Sequence, residues 1–133
     1  MNLLSSMLPM LSAIFLLSAC SVRPIPPGTY SFSSDDLRES LTLSRDGSFT
    51  QDITIDGSPY HSAGTWTHRE SNRVEFRTDF LVRFDTQAGA TINPPQKYSY
   101  YVGYWHTNRR QIIFDDDGHY YLTAGSPATP APK

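Results

Sequence analysis

Residues 37–55, LRESLTLSRDGSFTQDITI, have the pattern of a β-hairpin, and the rest of the fold builds outward from it. Leu41 and Leu43 before the centre, and Phe49, Ile53 and Ile55 after it, occupy alternate positions, and the centre itself is Arg45-Asp46-Gly47. Alternation with a period of two marks a strand with one buried face. A three-residue loop with Gly47 in the left-handed region folds the first strand onto the second, so Leu43 is predicted opposite Phe49 and Leu37 opposite Ile55, with Thr42 opposite Thr50 on the other face. Glu39 and Gln51 interrupt the oily face. A bulge or a place at the barrel rim is expected to let them reach water, the alternative being that they line a polar pocket.

The same logic extends through the rest of the chain. Asp116-Asp117-Gly118 predicts a second hairpin with Phe114 facing Tyr120 and Ile112 facing Leu122. A third, turning over 106–110, puts Val102 beside Phe114 and Tyr104 beside Ile112. Strands are expected near 29–33, 38–44, 48–55, 60–67, 73–77, 80–85, 97–105, 111–115 and 119–123, with a long loop over 86–95, TQAGATINPP, available as a cover or as part of a site. By parity Trp66, Val74, Phe76, Phe80, Val82, Phe84, Tyr98, Tyr100, Val102 and Tyr104 join the inner face. Tyr101, Ile113 and Tyr121 then fall on the second face with Trp105 close by, and these aromatics are the candidate partner-binding residues. Consecutive antiparallel strands with one oily face must close or fold over themselves, so the fold class is all-β: a small antiparallel meander barrel, or a two-sheet sandwich, of about eight strands. The large side chains on the inner face predict a filled barrel without a sizeable cavity.

Composition agrees with strands and narrows the partners. The chain has 133 residues, 13% of them aromatic and 18% charged, with a formal net charge of -2. No run of Lys or Arg exceeds Arg109-Arg110, so the footprint of a nucleic-acid binder is missing.

Residues 3–19, LLSSMLPMLSAIFLLSA, carry no charge and end in small side chains, the pattern of a secretory signal rather than a spanning helix. Leu17-Ser18-Ala19-Cys20 resembles the lipobox of bacterial lipoproteins. That resemblance implies cleavage before Cys20, acylation of its sulfur, and anchoring of the downstream chain to a membrane. Ser21, where inner-membrane retention commonly uses Asp, implies the outer membrane of a Gram-negative cell envelope, on its periplasmic side. Cys20 is the only cysteine, so no disulfide competes for it. The expected organisation is a signal peptide over 1–19, a lipidated Cys20 with a Pro-rich spacer over 20–28, a barrel over 29–124, and a disordered Pro-rich tail over 125–133. The string GTY…LTLSRDGSF…GTW is also similar to strand signatures of small lipocalin-like lipoprotein domains, which implies a barrel.

Nothing in the pattern asks for catalysis, a cofactor or a metal. The Asp115–Gly118 run lacks the alternate ligand spacing of a calcium loop, and His61, His68, His106 and His119 are scattered, so a solvated hairpin tip and surface histidines are expected. No Ser sits in a nucleophile elbow, and the only thiol is assigned to lipid. The expected function is a membrane-tethered, non-catalytic envelope domain that binds a protein or other partner through an external surface. The alternative is a lipocalin-like carrier of a small apolar ligand.

Overall fold

The computed structural model describes residues 25–125, so the signal segment, Cys20 and nearly all of the tail lie outside the described residues. Eight antiparallel strands run β1 Gly28–Ser33, β2 Leu37–Leu43, β3 Ser48–Ile55, β4 Ser58–His68, β5 Arg73–Asp85, β6 Ala90–His106, β7 Gln111–Ile113 and β8 Tyr121–Ala124. Each pairs with the next, and β8 pairs back to β1 through Tyr30 with Ala124 and Ser31 with Thr123, closing a barrel. The sandwich alternative is thereby excluded.

The β2–β3 hairpin forms in the expected register, with Leu43 opposite Phe49, Thr42 opposite Thr50 and Leu37 opposite Ile55. Gly47 has φ +88°, a region that costs an L side chain strain, and the Asp46 carboxylate accepts from the Ser48 N–H at 2.9 Å, which fixes the loop. The β7–β8 hairpin also holds its register, Ile112 opposite Leu122. Here the Asp115 carboxylate accepts from the backbone N–H groups of His119 (3.1 Å) and Tyr120 (2.9 Å), so this carboxylate braces the turn.

Four expectations are corrected. The stretches 73–77 and 80–85 are one strand, bent where Thr78 and Asp79 both take positive φ and the register against β6 shifts. The anticipated loop 86–95 is a short turn followed by the start of β6 at Ala90. The folded part begins earlier than residue 29: Ile25 is buried, its N–H reaches His68 Nδ1 at 3.4 Å, and the Tyr30 hydroxyl donates to the Pro26 carbonyl. Residues 25–28 thus belong to the barrel rather than to a spacer. Lastly, β6 meets β7 one residue out of the expected register, Trp105 opposite Ile112 and Tyr104 opposite Ile113.

That last shift decides which tyrosines reach solvent. A slip of one residue turns every side chain of a strand to the opposite face. The turn closes over Thr107–Arg110 with Arg110 at φ +55°, leaving His106 to pair with Gln111. With odd residues inward, Gly103 lies beneath Ile112 and Phe114, where an added Cβ would stand 2.6 Å from Ile112 Cγ2. A side chain in place of Gly103 would collide with the core, which is why this parity suits the sequence.

The interior is filled by large residues. Tyr30, Phe49, Phe76, Phe80, Tyr120 and Leu122 are among the fully buried side chains. Phe76 stacks on Phe80 at 4.5 Å between centroids, and Phe114 tilts against Tyr120 at 4.7 Å. Such an interior matches an eight-stranded barrel, whose bore is about the width its side chains occupy.

Candidate binding surface

Two polar constellations stand out, one inside the barrel and one on its wall. Inside, the expectation that Glu39 and Gln51 reach water through a bulge or at a rim is corrected: both are buried and line a polar pocket, the alternative reading. Their partner is Arg83, only 2% exposed. Arg83 Nε donates to Glu39 Oε2, while Glu39 Oε1 accepts from Gln51 Nε2 (2.9 Å) and from the Tyr120 hydroxyl (3.2 Å). The Gln51 carboxamide also spans the backbone of Leu81, donating to its carbonyl at 2.8 Å and accepting from its N–H at 2.9 Å. A side-chain amide therefore satisfies β5 past its bend, where its pairing with β4 has ended. The Arg83 guanidinium lies between the rings of Phe32 (4.5 Å) and Tyr120 (4.6 Å), whose faces offset the missing acceptor for Nη2.

Burial pushes the Glu39 carboxyl above its usual range against the opposing pull of Arg83, Gln51 and Tyr120, and burial likewise raises the Tyr120 phenol well above its ordinary value. Every group in this network is saturated by its neighbours or sealed by rings. Its chemistry is structural, a polar plug that sets how β2, β3, β5 and the β7–β8 hairpin fit together.

On the wall, β5 and β6 present their outward residues side by side. Arg73 pairs across with Tyr104, Glu75 with Val102 and Arg77 with Tyr100. Tyr100 and Tyr104 are 43% and 47% exposed, the guanidinium of Arg77 sits 4.9 Å from the Tyr100 ring, and Ile113 and Tyr121 continue the row beyond Tyr104. At the centre Glu75 is nearly covered by three arginines: Arg73 Nη2 at 2.7 Å, Arg69 Nε at 3.3 Å and Arg77 Nη2 at 3.8 Å. Desolvation pushes the Glu75 carboxyl up, but the hydrogen bonds from Arg69 and Tyr100 and the charges of Arg73 and Arg69 outweigh it and hold the carboxyl below its usual range. One carboxylate thus pre-orders three guanidiniums around two exposed phenol rings. Tyr and Arg are the residue types that anchor protein interfaces, because each offers a large rigid contact with a polar end. Beside this row an open cleft runs along Asn72, Tyr104, His106, Arg109, Ile113 and the Asp115–Gly118 turn.

Of the residues expected to bind a partner, Cys20 lies outside the described residues. Trp105 is buried, 4% exposed, edge-on to Tyr30 at 5.8 Å, and so is a core residue rather than a surface one. Tyr101 is half-buried and lies flat on Phe80 at 5.3 Å, on the inner side. Tyr121 does face outward, half-buried and edge-on to Phe32 at 5.6 Å. The one-residue shift of β6 replaces Tyr101 and Trp105 on the wall by Tyr100 and Tyr104. Among the described residues no cluster of three His, Asp or Glu is placed to hold a metal ion. No family model, curated protein or solved structure matches the chain.

Proposed function

We propose that this chain is a lipid-anchored, non-catalytic protein of the bacterial cell envelope, most simply of the outer membrane, whose barrel binds another protein through the outer wall of β5 to β8. The observation that carries the binding part is the pre-ordered surface of Tyr100 and Tyr104 with Arg69, Arg73 and Arg77 around Glu75. Arginines already held in place lose little side-chain entropy on association, and exposed phenol rings beside them supply contact area. A carrier of small apolar ligands would need empty space that the packed aromatic interior does not offer.

The anchor reading rests on Leu17-Ser18-Ala19-Cys20. Cys20→Ala is expected to abolish incorporation of a palmitate analogue in labelled cells, since no other sulfur in the chain is a thiol. Equal label in variant and parent would remove the lipoprotein from the proposal.

The binding part is tested with the immobilised protein and envelope extract. A protein retained by the native wall should be lost by Tyr100→Ala combined with Tyr104→Ala, each anchor lowering affinity by about tenfold or more. Retention that does not change in the double variant would move the interface elsewhere.

A further inference from the structure

Along β6 the barrel closes only in part. On one side β5 pairs with β6 over nearly its whole length, from Ala90 to Tyr104, but on the other side β7 meets only Tyr104, Trp105 and His106. Strand β7 ends at Ile113, after which the Phe114 N–H bonds the Tyr120 carbonyl and the chain leaves into the Asp115–Gly118 turn. Among the described residues, no strand pairs with the β7 side of β6 from Ala90 to Gly103.

The registers fix which backbone groups face that gap. The Trp105 N–H bonds the Asn72 carbonyl on the β5 side. Successive residues of an antiparallel strand turn their N–H and C=O to opposite neighbours, so Tyr104 and His106 address β7, and Val102 and Tyr100 point the same way. Neither of these two finds a backbone partner among the described residues. Every residue from Gln96 to Tyr100 is exposed, so both faces of β6 reach solvent there as well as its edge.

An unpaired edge invites strands from other chains, and natural proteins blunt such edges with proline and with charged side chains, lysine above all. Strand β6 is blunted before the gap and covered after it: Pro94 and Pro95 offer no N–H, Lys97 is exposed, and β7 takes over at Tyr104. The run Tyr98 to Val102 between them carries neither proline nor charge, and Tyr98 and Tyr100 are 36% and 43% exposed. This open stretch is continuous with the wall of Tyr100 and Tyr104.

We propose that the partner docks by laying an extended segment along the β6 edge at Tyr98–Val102, as an added strand in line with β7. The proposal rests on the reading of the β5–β8 wall as a protein-binding surface, and it names how the partner is held. Tyr100 and Val102 each offer one N–H and one C=O at strand spacing, a pattern that the backbone of an extended peptide matches. Side chains of the incoming strand fall alternately on two faces, one set beside the exposed Tyr100 ring and the other beside Tyr101, which lies flat on Phe80. Lys97 makes no ion pair among the described residues, so a carboxylate in the segment that passes it is favoured.

The test uses the full-length lipidated chain in detergent and, as probe, a soluble peptide of alternating valine and threonine with one glutamate. At about 1 mM peptide, hydrogen exchange of the Tyr100 and Val102 amides should slow by about tenfold or more, while the Tyr101 amide, which faces β5, should not change. The same peptide N-methylated throughout keeps its side chains, loses its donors, and should protect neither amide. Both measurements act on the unaltered protein. No protection, protection that ignores the alternation, or equal protection by the methylated peptide overturns strand addition. Protection of both amides without peptide, in a chain that sediments as a dimer, assigns the edge to a second copy and overturns the partner segment. Val102→Pro removes one outward N–H and leaves Tyr100 and Tyr104 in place. A protein from envelope extract that a folded Val102→Pro chain still retains, but that is lost with Tyr100→Ala and Tyr104→Ala, overturns strand addition and leaves the wall standing. A captured protein indifferent to all these changes removes the wall reading and this proposal with it.

Discussion

Replacing Arg83 by Met should lower the unfolding free energy by about 3–5 kcal/mol, because it leaves the Glu39 carboxylate buried without its counter-charge. Neither side chain has access to water that would soften the loss, at 3% and 0% side-chain exposure. The rings of Phe32 and Tyr120 keep an apolar partner in Met, so the lost stability is electrostatic rather than a cavity effect. Combining Arg83→Met with Glu39→Gln should restore at least half, since the carboxamide oxygen still accepts from Gln51 and Tyr120 while the orphaned charge is gone. Urea unfolding of the purified protein, followed by tryptophan fluorescence, measures both. A double variant as unstable as the sum of the two single ones would show that Arg83 and Glu39 do not act as a pair.

Gly64→Ala should cost about 3 kcal/mol in the same assay, even though Gly64 sits in an ordinary strand conformation. An added Cβ would press on the carbonyl oxygen of Arg77 and stand 2.5 Å from that of Thr78 and 2.7 Å from Phe49 Cε1. Two of these neighbours are backbone atoms at the bend of β5, which cannot yield without undoing the bend. Gly103→Ala makes a useful contrast, because its nearest neighbours are the side chains of Ile112 and Phe114, which can rotate. Its cost should be smaller, about 1–2 kcal/mol. A smaller loss at Gly64 than at Gly103 would mean that the approach of β5 to β4 is looser than the geometry implies.

Much of the barrel was legible in local pattern. In the β2–β3 hairpin the alternation of Leu41, Leu43, Phe49, Ile53 and Ile55 about Arg45-Asp46-Gly47 admits one register only, since any slip would expose the whole apolar set. The β7–β8 hairpin is equally constrained by Ile112, Phe114, Tyr120 and Leu122. Strand β6 is different. Its run YSYYVGYW offers a large ring on either face whichever way it is read, so hydrophobic parity carries no information about which tyrosines face solvent.

The all-β class, the two hairpin registers and the presence of a polar pair on the inner face could therefore be read from the chain alone, because each depends on residues a few positions apart. Three-dimensional packing was needed to show that Arg83 answers Glu39 across 44 residues, that the bend at Thr78 and Asp79 makes one strand of two, and that Tyr100 and Tyr104 rather than Tyr101 and Trp105 form the outer wall. These features arise from contacts between distant strands: a buried charge requires a partner wherever the fold brings one, and β6 takes the parity that puts Gly103, the residue without a side chain, beneath Ile112 and Phe114.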